Sequence, residues 1–165
     1  MKLATFALAA SLLPAASAAY AASAATKDFV QKAALGSLFE IQMSRLAQGR
    51  TDNIDISRFA QRMISEHGDA NNSLKMSAKA GAPDVELPAV LDDARKARID
   101  AMSKMKGEDF DAAFVTTQSE AHFEAVNLFT AYAETGDQPE LKKFAADTLP
   151  ALKAHQDALA HLGAR

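Results

Sequence analysis

From Thr26 onward the apolar positions recur at three- and four-residue intervals, the period of helices that turn one face to a core. The first such face carries Phe29, Ala33, Gly36, Glu40, Met43 and Ala47, widened by Val30, Leu38, Ile41 and Leu46. It predicts a helix over 27–48 with Thr26 as N-cap and Gly49 as stop. The polar run from Thr51 to Asp55 predicts a short turn into an antiparallel second helix over 55–80, with Ile56, Ala60, Met63, His67, Ala70, Leu74 and Ala78 on its stripe. Pro83 and Pro88 break the chain, and a shorter amphipathic piece over 89–106 reads as a crossing helix. A third long helix over 109–134 aligns Asp111, Val115, Gln118, His122, Val126, Phe129 and Ala133, and Gly136 ends it. After Pro139 the last helix, over 139–162, aligns Leu141, Phe144, Thr148, Leu152, His155, Leu159 and Leu162. The expected fold is all-α, a four-helix bundle with one additional shorter crossing helix.

Each long stripe carries one residue that does not belong on an apolar face: Glu40, His67, His122 and His155, all near mid-helix. Antiparallel neighbours of similar length share their mid-levels, so the four side chains are expected to meet in one layer of the core. Three imidazoles and a carboxylate suit a divalent first-row ion such as Zn, Cu, Fe, Mn or Ni, and an ion would offset the cost of burying Glu40. Met43 and Met63 are additional candidates as soft ligands on one side of the layer, and Gln118, one turn before His122, as a group that orients an imidazole. Glu66, Glu120 and Glu124 point away from the stripes and read as solvated positions. A single histidine on an apolar face is ordinarily a satisfied core residue, so the alternative is a structural polar network that only fixes the bundle's register.

Composition narrows the classes. The 165 residues carry a formal charge of −3 and no cysteine, which leaves no disulfide, thiolate metal site or haem-attachment motif, and no basic cluster marks a nucleic-acid partner. Lys2, the apolar run from Leu3 to Leu13 and the Ala-rich tract after Pro14 read as a signal peptide over 1–25, with Ala-x-Ala cleavage matches ending at Ala18 and Ala24. The mature chain, 26–165, is then a single exported, periplasmic domain without a transmembrane segment. No Glu-x-x-His pair of a di-iron site, His-Glu-x-x-His motif, phosphate-binding glycine loop or nucleophile elbow occurs, so no reaction can be named.

The run Phe29 to Ala34, Glu40 with Leu46 and Ala47, Phe59 and Ala60 leading to Met63 and Glu66-His67, Phe110-Asp111, His122, and Leu149-Pro150 followed by His155 resemble the exported bacterial proteins grouped as DUF4142. The resemblance covers about Lys27 to Leu162. It implies a ferritin-like helical bundle, and Glu40, His67, His122 and His155 coincide with the family's motif. Members are often labelled outer-membrane proteins, although no alternating transmembrane strands occur in this sequence. The expected function is metal storage, buffering or stress protection at the three-histidine, one-glutamate site. The alternative is a metal-free periplasmic stress or interaction module.

Overall fold

The computed structural model describes residues 21–164, so most of the expected leader lies outside the described residues. Five helices follow in order: α1 Ala24–Gln48, α2 Ile54–Gly81, α3 Asp93–Met102, α4 Gly107–Thr135 and α5 Pro139–Gly163. Among the described residues no strand occurs, and no helix is long and apolar enough to cross a membrane. The caps explain the boundaries. Asn53 Oδ1 accepts from the Asp55 and Ile56 amides to start α2, Asp92 accepts from Arg95 N to start α3, and Pro139 occupies the first turn of α5, where no backbone donor is needed.

Four long helices form the bundle. α1 packs on α2 and α4, and α5 packs on the same two, so α1 lies diagonal to α5 and every neighbouring pair is antiparallel. α2 and α4 run parallel, which requires the chain to return along the bundle between them. The segment 82–106, with α3 in it, makes that long crossover and lies against α1 and α4.

The core divides into two apolar clusters along the bundle axis. The upper one gathers Phe29, Val30, Leu74, Phe129, Leu141 and Phe144, with the Phe29 ring stacked on Tyr132 at 4.0 Å between centroids. The lower one gathers Met43, Ala60, Met63, Phe110, Phe114 and Leu159. Each large side chain buried in this way stabilises the fold by about 1.5–3 kcal/mol relative to exposure. Between the clusters lies a polar layer, and it is the reason they are separate.

Local details depart from the sequence reading in three places. Ser23, not Thr26, caps α1: its hydroxyl accepts from Thr26 N at 3.1 Å, and Thr26 is buried one turn in, hydrogen-bonded to the Tyr132 hydroxyl at 2.6 Å. The crossing helix, expected over 89–106, is confined to Asp93–Met102, because the Asp92 cap fixes its start, and Gly107, at φ +57°, begins α4. The buried face of α4 is turned from Asp111 and Val115 towards Phe110, Phe114 and Thr117, since the two aromatic rings offer more apolar surface than the residues of the predicted stripe. Pro150 lies inside α5 without ending it.

Candidate metal centre

Glu40, His67, His122 and His155 all lie in the polar layer, each fully or almost fully buried. Their helices bring them together from four directions at one level, as the mid-helix positions require. Each of the three histidines offers a ring nitrogen within 4.8 Å of those of the other two.

Every imidazole has an oxygen behind its outer nitrogen. His122 Nδ1 lies 2.9 Å from the backbone carbonyl oxygen of Gln118, which can only accept, so this nitrogen carries the hydrogen. His155 Nε2 lies 2.6 Å from Glu66 Oε2 and donates to that carboxylate. His67 Nδ1 lies 3.0 Å from Glu40 Oε2 and 3.3 Å from Ser37 Oγ, whose own hydroxyl donates to the His67 carbonyl at 3.3 Å. Three nitrogens remain on the inner sides of the rings. His122 Nε2 and His155 Nδ1 face each other at 3.2 Å, and His67 Nε2 is buried with no partner. With the outer nitrogens of His122 and His155 protonated, the facing pair consists of two lone pairs and no hydrogen. Two nitrogens each about 2.0–2.1 Å from one ion, at a tetrahedral angle, are separated by about 3.3–3.4 Å.

Burial keeps the layer uncharged. It pushes the Glu40 carboxyl up to about 8, opposed by the Arg95 guanidinium and reinforced by Glu124. Burial holds His67 well below the usual imidazole range, with the charges of His122 and His155 adding to the effect. Burial also brings His122 down to about 4, partly offset by its bond to the Gln118 carbonyl, and lowers His155 despite the hydrogen bond and charge of Glu66. At neutral pH the layer holds a protonated Glu40 and three neutral imidazoles, the protonation state in which imidazole ligates metals.

Glu40 touches the outer nitrogens, lying 3.0 Å from His67 Nδ1 and 3.3 Å from His122 Nδ1, so its carboxyl stands behind the rings rather than among their inner nitrogens. Gln118 orients His122 through its main-chain carbonyl, while its side-chain amide reaches the Glu40 carbonyl at 3.4 Å and Ser44 Oγ at 3.3 Å. Met43 and Met63 are fully buried together in the lower cluster. Glu66 is a correction to the sequence reading. It is solvent-exposed as expected, at 44%, and lies 3.7 Å from Arg62, but from the rim of α2 it also reaches His155. The signal was its place beside His67 on the flank that α2 turns towards α5.

On the upper side of the layer lies a cavity of about 740 Å³. Glu40, His67 and His155 form one end of it, and residues of the upper cluster, among them Leu74, Phe129 and Phe144, form its apolar wall. Arg95 and Arg98 of α3 border it where the crossover covers the bundle.

Fold and layer define a helical bundle with one long crossover and a buried cluster of three histidines between two apolar half-cores. The chain belongs to the DUF4142 family, a domain of unknown function, whose pattern matches residues 11–162. No curated protein matches the sequence. Among solved structures it is similar to a DUF305 fragment from Deinococcus radiodurans, at 16% identity and a TM-score of 0.72, covering 88% of this chain and 99% of that one. It is also similar to CopM in its Cu(I)-bound form, at 16% identity, a TM-score of 0.65 and coverage of 82% and 92%, and in its Cu(II)-bound form, at 15%, 0.69, and 83% and 94%. At these identities the likeness establishes the shared bundle fold.

Proposed function

We propose that this is an exported protein that binds one first-row transition ion at His67, His122 and His155, through the inner nitrogens of the three rings. The observation that carries the reading is the pair of facing lone pairs at 3.2 Å, with acceptors fixed behind His122 and His155 and the Glu40 carboxyl behind His67. Ligating histidines characteristically donate their other N–H to a carboxylate or carbonyl, and Glu40, Glu66 and the Gln118 carbonyl stand in those positions. Glu40 then acts on His67 rather than on the ion. When its carboxyl is protonated it donates to His67 Nδ1, which leaves the hydrogen on Nε2. Loss of one proton lets Nδ1 take that hydrogen and donate to the carboxylate, and Nε2 becomes a free ligand. A register-fixing polar core explains the outer hydrogen bonds but gives no reason for two buried acceptors to face each other.

Three protein ligands beside a cavity leave a position open, unlike a closed four-ligand structural site. Neutral imidazole suits zinc and copper alike, and the copper-bound forms of the structurally similar CopM make copper the first ion to test. The role that fits is uptake and holding of an exchangeable ion, in storage, buffering or protection from metal stress. Calorimetric titration of metal-free protein with Cu(II) and Zn(II) tests it. One ion per chain, with affinity reduced at least a hundredfold in both His122→Ala and His155→Ala, is the expected result. Equal binding by wild type and both variants, or none by any, sinks the reading.

A further inference from the structure

The cavity above the histidine layer is cut into the core. Its wall includes Ala33, Leu74, Phe129, Phe144 and Leu152, all members of the upper apolar cluster. Its volume of about 740 Å³ falls in the range of sites that enclose small organic molecules, about 300–1,000 Å³. Gly36 lies on its lining in the middle of α1, and a Cβ there would meet nothing within 4 Å. A glycine inside a helix costs about 1 kcal/mol relative to alanine, and here no close approach of another chain segment requires it.

The cavity is chemically two-ended. At one end are Glu40, His67 and His155, the wall formed by the upper cluster is hydrocarbon, and Ser37, Asn71, Asn127 and Thr148 add polar groups to the remaining lining. At the rim the cations are already matched: Lys32 with Asp28, Arg95 with Asp92 and Arg98 with Glu120.

We propose that this cavity binds a small monocarboxylate with a hydrocarbon body, whose carboxylate takes the open position beside the three imidazoles while its chain lies against the apolar wall. The head's anchor rests on the metal reading above; the wall does not. An aliphatic chain fits the lining better than a polyanion, because the upper-cluster wall is apolar and Glu66, Glu120 and Glu124 on the lining repel further negative charge. The bound acid would complete the ion's coordination and exclude water from it, so that holding of the ion depends on the organic ligand.

The test uses the full-length mature protein loaded with Co(II), whose visible bands report a change of donor, and decanoate as the probe. Saturable movement of the bands at submillimolar decanoate is expected. Gly36→Leu and Ala125→Leu, which place bulk in the cavity, are expected to form the same cobalt bands while weakening the decanoate response at least tenfold. Bands that form and do not move with decanoate, or an undiminished response in both variants, overturn the cavity site while leaving the metal site standing. Failure to form cobalt bands in wild type overturns both.

Discussion

His122 Nε2 and His155 Nδ1 face each other at 3.2 Å across the bundle core, and the groups behind the two rings leave neither nitrogen a hydrogen to share. Two bare acceptors at that distance repel unless a cation lies between them, and burial makes a proton a poor cation there, since both imidazoles are held below their usual range. On the proposed reading, a metal ion would resolve the conflict with the nitrogens already 3.2 Å apart. The account is therefore sensitive to the groups behind the rings, and these can be changed without touching a ligand.

Glu66 is the most accessible of them. It is half exposed, so its removal should disturb the fold little, but it fixes the tautomer of His155. Glu66→Ala is expected to weaken Zn(II) or Cu(II) binding by about 10–100-fold, with the thermal midpoint of the metal-free protein within a few degrees of wild type. Competition against a chromophoric chelator measures the first and circular dichroism the second. Unchanged affinity would remove Glu66 from the site.

Metal uptake should release one proton over an unusual range. The three histidines are already neutral above the usual imidazole value, whereas Glu40, raised to about 8, must still lose its proton. Apparent affinity should climb about tenfold per pH unit between roughly pH 6.5 and 8 and level off above. Three histidines with ordinary pKa values and no such carboxyl would give a curve that rises only about eightfold in all and is nearly level above about pH 7.5. Titrations at several pH values in two buffers of different ionisation enthalpy count the protons directly.

The same carboxyl sets a stability slope in the metal-free protein. Its folded pKa of about 8 lies above the unfolded value of 4.5, so the folded state binds the extra proton between them. Stability is fully present below about pH 4.5 and is lost as pH rises through 8, by at most about 1.4 kcal/mol per unit. The histidines act oppositely, with stability lost as pH falls below 6.5. Glu40→Gln mimics the protonated carboxyl and abolishes only the alkaline slope. Its urea midpoint should match wild type near pH 5 and exceed it at pH 8.5, even as its metal affinity drops. A wild type no weaker at pH 8.5 than the variant would contradict the burial argument.

The four odd residues on four apolar stripes were legible in the sequence because helical period and mid-helix position are both one-dimensional, and so was the layer they form. Which nitrogen of each ring faces inward was not legible, because that depends on Gln118's carbonyl, Glu66 and Glu40 lying behind particular rings. Glu66 escaped because a residue beside His67 looks solvated until α5 is known to flank α2 on that side. Ser23 escaped as the α1 cap because it stands in the small-residue tract that reads as leader, and Thr26 offered the same cap chemistry three residues later. The cavity leaves almost no trace in sequence: it is a run of small residues, such as Gly36, Ala121 and Ala125, that binary patterning counts as core.

The most direct measurement is elemental mass spectrometry of the untagged protein purified from its own cells, with His122→Ala prepared in parallel. Near-stoichiometric copper, zinc or another first-row ion in wild type, absent from the variant while its helical content is retained, is the predicted result. Wild-type protein that carries no metal and takes up neither copper nor zinc when titrated in its metal-free form would contradict the account.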